Sequence, residues 1–236
     1  MEGPVGDAVV VFARLPVPGQ VKTRLAAAVG NEAAAMFYKR CAERVIATLA
    51  GLAGAAIYLF YAQGEEEAAV AAWLAPLQVP GLTLVPQLQA PDLGARMEHA
   101  MRHAFARGHQ RVAILGTDVP DLAAGIVARA LQALDTHQAV FGPAEDGGYY
   151  LLALSSLPPG LFQGIEWSTH TVLAANAANA QRLGLRLAPL DTLEQLQDID
   201  TIEDLRSWCS RQQQQRQQSS KHSFTSWAAT QDAAYI

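Results

Sequence analysis

Short apolar runs separated by segments of helical spacing leave this chain few folds to choose from. Val9–Phe12, Ala55–Tyr61, Leu82–Pro86 and Arg111–Leu115 read as buried strands. Between them lie predicted helices: Asn31–Leu49, with Phe37, Cys41, Val45 and Leu49 every four residues; Glu65–Leu74; Asp92–Arg107, with Leu93, Met97, Met101 and Ala104 inward and a stop at Gly108; and Leu122–Leu134. Ala139–Gly142 and Tyr149–Leu154 read as two more strands. Ser168 is placed to cap a helix ending near Gly184, Leu185–Pro189 reads as a strand, and Thr201–Asp204 as a capping box opening a last short helix. Strands alternating with helices imply a mostly parallel sheet covered on both faces, an α/β fold of three α/β/α layers. Ligands of such sheets bind beyond the carboxyl ends of the strands, so the chemistry belongs in the loops that follow them.

The chain has 236 residues, 50% of them hydrophobic, enough for the core of one α/β domain over residues 1–209. From Ser210 the composition turns to RQQQQRQQSSKHS. Such glutamine-rich sequence buries too little surface to fold, so 210–236 is expected to be a disordered tail, with Trp227 and Tyr235 as its only features suggestive of docking. Three of the 17 basic residues and one of the 22 acidic residues lie from Arg211 onward, which leaves the body at −7. That balance disfavours nucleic acid as a partner but allows a small anion in one basic pocket. Cys41 and Cys209 form no disulfide framework. The chain has no apolar run long enough to span a membrane and no secretory leader, so the expected location is the cytoplasm.

Five loops carry candidate chemistry. FARLPVPGQVKTRL, residues 12–25, follows the first strand: Pro16 and Pro18 stiffen it, Gly19 permits close backbone approach, and Lys22, Thr23 and Arg24 offer ammonium, hydroxyl and guanidinium donors near a helix start. It suits a di- or triphosphate, although a rigid basic turn explains it equally well; it is neither a Walker A loop nor a Rossmann fingerprint. In ILGTDVPDL, Asp118 sits just past a buried strand, the position of a hard-metal ligand for Mg²⁺ or Mn²⁺, while Asp121 is the better helix cap. In GPAEDGGYYLLAL, Asp146 can accept from sugar hydroxyls or act as a base, but the stretch by itself reads first as a hairpin turn. In GIEWSTHTVL, Glu166 can complete a metal site with Asp118 and Trp167 can stack on a sugar or base; a buried Trp and a first-turn Glu is the structural alternative. In DIDTIEDL, Asp198 and Asp200 serve as ligands or as turn and cap with equal ease. His99 and His103 fall off the apolar stripe of their helix and read as solvated.

Together these loops resemble a group of small bacterial proteins of the glycosyltransferase-A superfamily, largely uncharacterised and often labelled glycosyltransferases. Its pattern, roughly F-A-K-x-P-x-P-G-x-V-K-T-R-L, D-L-G-x-R-M, G-x-D-x-P, G-P-x-x-D-G-G-Y, D-W-S-T and D-x-D-T-x-x-D-L, stands here in order as FARLPVPGQVKTRL, DLGARM, GTDVP, GPAEDGGYY, EWST and DIDTIEDL. Arg14 replaces the usual lysine and Glu166 the usual aspartate. The resemblance implies a nucleotide-diphospho-sugar transferase fold and a transferase using a nucleotide-activated donor and a small-molecule acceptor. Ala13, Arg14, Pro18, Gly19, Lys22, Thr23 and Arg24, with Asp92, Leu93, Gly94 and Arg96, would hold the nucleotide. Asp118 and Glu166 would bind Mg²⁺ or Mn²⁺. Gly147, Gly148, Tyr149 and Trp167 would line the acceptor side, and Asp146 or Glu166 would take the acceptor's proton. The KTRL loop also looks like that of guanylyltransferases acting on small phosphorylated acids. The expectation is therefore glycosyl transfer first, nucleotidyl transfer second and a non-catalytic nucleotide-binding module third.

Overall fold

The first strand shows why the sheet must be covered on both sides. In the computed structural model, which describes residues 6–62 and 64–214, strand β1 (Ala8–Ala13) is apolar throughout. Val9, Val11 and Ala13 enter the core on one face, while Ala8 and Val10 enter it on the other. The remaining strands are β2 (Ala56–Tyr61), β3 (Leu82–Pro86), β4 (Val112–Leu115), β5 (Ala139–Pro143) and β6 (Tyr149–Leu154). They form one sheet in the order β3-β2-β1-β4-β6-β5. β1 pairs in parallel with β2 and β4, and β2 with β3; β6 alone runs antiparallel, to β4 and β5.

Helices α2 (Asn31–Leu49), α3 (Glu67–Leu74) and α5 (Ala124–Ala133) cover one face through Val45, Ile46, Leu49, Val70, Leu74, Ile126, Val127 and Leu131. Helices α4 (Leu93–Phe105) and α6 (Val172–Arg182) cover the other through Met97, Met101, Ala104, Ala177 and Ala180. The result is the expected three-layer α/β/α arrangement. The short α1 (Thr23–Val29) and the last helix, α7 (residues 202–214), flank the carboxyl ends of the strands. Among the described residues, no helix is long and apolar enough to cross a membrane.

The register sets up the site. Val11 of β1 stands opposite Leu115, the last residue of β4, so β1 runs two residues further and the loops that follow these neighbouring strands emerge side by side. The GPAEDGGYY stretch does make the hairpin its Asp-Gly pair suggests, joining β5 to β6. That hairpin brings Asp146 to the same edge of the sheet.

Several local readings change. Ser168 does not cap α6, which starts at Val172 after Thr171; Ser168 instead adopts a left-handed φ of 64°. Leu185–Pro189 forms only a single bridge, Ala139 to Leu187. Asp121 does not cap α5, whose N-cap position is Ala123. Its carboxylate instead accepts from Trp208 Nε1 at 2.9 Å and Gln212 Nε2 at 3.0 Å, docking α7, while Trp208 packs edge-on against Phe37 at 6.3 Å. Those bonds carry helix through residue 214, past the composition change at 210. The rest of the expected tail, with Trp227 and Tyr235, lies outside the described residues. His103 is not solvated: it stacks edge-on against Tyr58 and Phe60, each at 5.3 Å, and burial lowers its pKa.

Candidate functional site

A cavity of about 570 Å³ opens at the carboxyl ends of β1 and β4. Lys22 lines it. The backbone of this residue is left-handed, with φ 48°, at the start of α1, where its carbonyl accepts the first helical bond from Ala26 N–H. That conformation costs a non-glycine residue roughly 1–2 kcal/mol. It turns the side chain inward, where it is 4% exposed, with Nζ 2.7 Å from Asp118 Oδ1 and 2.6 Å from Asp200 Oδ1. Burial alone would lower the ammonium pKa, but the two carboxylates outweigh it and hold the group firmly charged. Among the described residues the non-glycine positions with positive φ are Lys22, Gln78 and Ser168, and two of these three line the cavity. Strain of this kind concentrates at functional sites.

The opposite wall is acidic. Asp118, Asp146, Asp198 and Asp200 all reach the cavity. Burial and the nearby Asp146 and Asp200 push the Asp198 carboxyl up to about 6. A carboxyl with a raised pKa holds its proton more tightly in the folded state than in the unfolded chain. Stability is therefore lost as pH rises from about 4 to about 6. Asp198→Asn is expected to raise the melting temperature by a few degrees above about pH 7 and to leave it unchanged below about pH 4; an equal gain at both pH values would contradict the assignment.

The loops bring together most of the residues singled out from sequence. Ala13, Arg14, Lys22, Thr23, Arg24, Leu93, Arg96, Asp118, Asp146, Gly148, Tyr149 and Trp167 surround the cavity. Others lie elsewhere, for identifiable reasons. Pro18 and Gly19 shape the exposed turn ahead of α1, where Gly19 takes φ 79° beside Asn31. Asp92 caps α4, accepting from Ala95 N–H at 2.8 Å. A Cβ on Gly94 would lie 2.7 Å from the Trp167 ring, so this glycine makes room for the indole. Gly147, at φ 89°, lies directly under the His170 carbonyl. Glu166 is exposed and does not line the cavity, although Trp167, Ser168 and Thr169 after it do; its carbonyl accepts from Thr169 Oγ1.

The residue opposite Asp118 is Asp200, one of the two aspartates for which a turn-and-cap role looked equally good. The cap is a box of Thr201 and Asp204: the Asp204 N–H donates to Thr201 Oγ1 at 3.2 Å, and its carboxylate accepts from Thr201 N–H at 2.7 Å and Asp200 N–H at 3.1 Å, leaving the Asp198 and Asp200 side chains for the cavity. Gln87 had no sequence signal. Its amide donates to Phe60 O at 2.9 Å and accepts from Arg96 Nη1 at 3.3 Å, fixing the guanidinium at the cavity wall.

Residues 45–169 match the model of a family described as uncharacterized proteins conserved in bacteria, DUF2064. A solved structure, a provisionally named nucleotide-diphospho-sugar transferase from Desulfovibrio desulfuricans G20, is 36% identical. The match covers 84% of each chain, at a TM-score of 0.77. The chain belongs to the DUF2064 family. The fold of this DUF2064 protein extends to more distant structures. One is the 4-diphosphocytidyl-2C-methyl-D-erythritol synthase of Anaerococcus prevotii DSM 20548, at 11% identity, 88% and 98% coverage and a TM-score of 0.52. Another is a CMP:2-keto-3-deoxy-manno-octonic acid synthetase complexed with CTP, at 13% identity, 89% and 99% coverage and a TM-score of 0.52. At such identities the likeness concerns the fold alone. No curated protein matches the chain significantly.

Proposed function

We propose that this DUF2064 protein is a metal-dependent transferase that takes a nucleotide-activated donor, most simply a nucleotide sugar, and passes the sugar to a hydroxyl-bearing small molecule. The observation that carries the reading is the Lys22 ammonium, buried and held between Asp118 and Asp200 in a cavity at the carboxyl ends of parallel strands. The related Desulfovibrio protein bears a nucleotide-diphospho-sugar transferase name, in line with the same chemistry.

Arg14, Lys22, Arg24 and Arg96 surround the space with positive charge suited to a diphosphate. As the sugar–oxygen bond breaks, charge grows on the departing diphosphate, and cations fixed in advance stabilise it. Trp167 offers an aromatic face to a sugar ring, and Asp146 offers a carboxylate to accept the proton of the attacking hydroxyl.

The clustering of Asp118, Asp146, Asp198 and Asp200, which with burial pushes the Asp198 carboxyl up, suits a hard divalent cation. Asp118, with Asp200 rather than Glu166 facing it, would hold Mg²⁺ or Mn²⁺. Among the described residues no three His, Cys, Asp or Glu side chains converge to chelate a metal. That fits an ion bound by one or two carboxylates together with donor phosphates. When bound, the ion would neutralise charge on the diphosphate.

The test is a thermal-shift screen of nucleoside diphosphates, triphosphates and nucleotide sugars with Mn²⁺, Mg²⁺ or EDTA, followed by product analysis. A metal-dependent rise in melting temperature with one base is expected, since a ligand of the native state stabilises by mass action. Release of free nucleoside diphosphate on turnover would support glycosyl transfer. Release of pyrophosphate would replace it with nucleotidyl transfer, and binding without turnover would leave a nucleotide-binding module. No shift with any of these ligands would remove the proposal.

A further inference from the structure

One buried hydroxyl joins the two loops of this site, and neither loop supplies it. Tyr38 comes from α2, is 4% exposed, and reaches the cavity wall. Its Oη accepts from the Arg14 N–H at 3.1 Å and lies 3.1 Å from Thr117 Oγ1. Thr117 is 2% exposed, and its hydroxyl lies 3.4 Å from the Phe12 carbonyl. The direction of this circuit follows from its ends. The Arg14 amide can only donate and the Phe12 carbonyl can only accept. Both hydroxyl protons therefore run one way: Arg14 N–H to Tyr38, Tyr38 O–H to Thr117, Thr117 O–H to Phe12 C=O. The circuit leaves the end of β1 and returns to it through the residue that precedes Asp118. Asp118 then closes a second link to the same loop through Lys22.

We infer that the Tyr38 hydroxyl is a positioning group that fixes the phosphate-side loop, residues 14–24, relative to the Asp118 loop, so that nucleotide and metal binding favour each other. What the two loops bind rests on the function proposed above; the mechanical tie does not. A ligand that orders the Arg14 loop orders Thr117 through Tyr38, and the second ligand then meets a loop already in place. The Tyr38 ring packs with Val21, Ala35 and Ala42, so removing the hydroxyl alone leaves that packing intact. Burial raises the phenol pKa, which keeps its proton available for the bond to Thr117.

The experiment compares the full-length chain with Tyr38→Phe and, at the other end of the bond, Thr117→Val. Amide hydrogen exchange without ligands is read first. Both variants are expected to exchange faster in residues 14–24 and also in 115–120. Binding of the best nucleotide from the screen is then titrated with and without Mn²⁺. The factor by which Mn²⁺ tightens the nucleotide should fall by about tenfold in each variant, within the usual range of coupling between sites. A tyrosine that merely packs would lower the melting temperature and leave that factor unchanged. Unchanged exchange around Asp118 in Tyr38→Phe and Thr117→Val, or an unchanged Mn²⁺ factor, overturns the inference. If no nucleotide binds the wild type, the proposed function falls, and the exchange comparison alone decides the tie.

Discussion

Lys22→Ala is expected to abolish metal-dependent nucleotide binding and to destabilise the protein at neutral pH. Removing the ammonium leaves Asp118 and Asp200 facing each other across its former position, with Asp198 and Asp146 adding charge of the same sign. Breaking a fully buried pair costs about 3–5 kcal/mol. Here the lysine is 4% exposed but its partners are 47% and 41% exposed, so water recovers part of the loss. The expected cost is about 1–3 kcal/mol, readable as a lower urea midpoint with an unchanged slope. Lys22→Arg should not rescue binding, because the larger planar guanidinium does not fit the buried position of a compact ammonium 2.6–2.7 Å from both carboxylates. A wild-type nucleotide shift in Lys22→Ala would mean that donor phosphates sit elsewhere.

The second large effect comes from adding one methyl group. In Gly147→Ala the new Cβ would overlap the His170 carbonyl oxygen and lie 2.8 Å from its carbon and 2.9 Å from its Cα. The obstacle is backbone, which cannot rotate away. The Leu173 N–H also donates to Gly147 O at 3.1 Å, so the hairpin and the start of α6 would have to move together. Overpacking costs roughly 1–3 kcal/mol, and the left-handed φ of 89° adds about 1–2 kcal/mol for any residue with a Cβ. The melting temperature should fall by several degrees or more. Displacement of Asp146 and Trp167 should also weaken acceptor turnover more than donor binding. A variant with the wild-type melting temperature would show that this contact is readily relieved. Gly148→Ala is the control: the nearest atoms its Cβ would meet are those of the Asp146 carboxylate, 3.1 Å away at the end of a side chain.

The layer architecture was legible because it follows from one-dimensional regularities. AVVVFA has no polar alternation, so a strand made of it must be buried on both faces, and the helical stripes between strands supply the cover. The capping of α4 by Asp92 and of α7 by the Thr201–Asp204 pair was legible for the same reason, since a cap and its partner lie within a few residues. Errors arose where a residue's partner is distant in sequence. Asp121 has the spacing of a cap, yet its carboxylate is taken by Trp208 and Gln212. Gly94 and Gly147 also make room for Trp167 and His170, which the sequence around them does not show.

By itself the sequence determined the six strands of the sheet, the helices between them and which loops hold charge, because periodicity, caps and turn residues act over a few bonds, though it also offered Leu185–Pro189 as a strand. Only the tertiary structure decided which charges meet. The parallel pairing of β1 with β4 brings the Lys22 and Asp118 loops together, and the chain returns after the central sheet to add Asp200 across from them. Tyr38 enters from the layer above, on a helix whose apolar stripe gave no hint of a hydroxyl at the site. A pair 178 positions apart leaves no local trace in a sequence, since its energy depends on a distance that exists only after the sheet has formed.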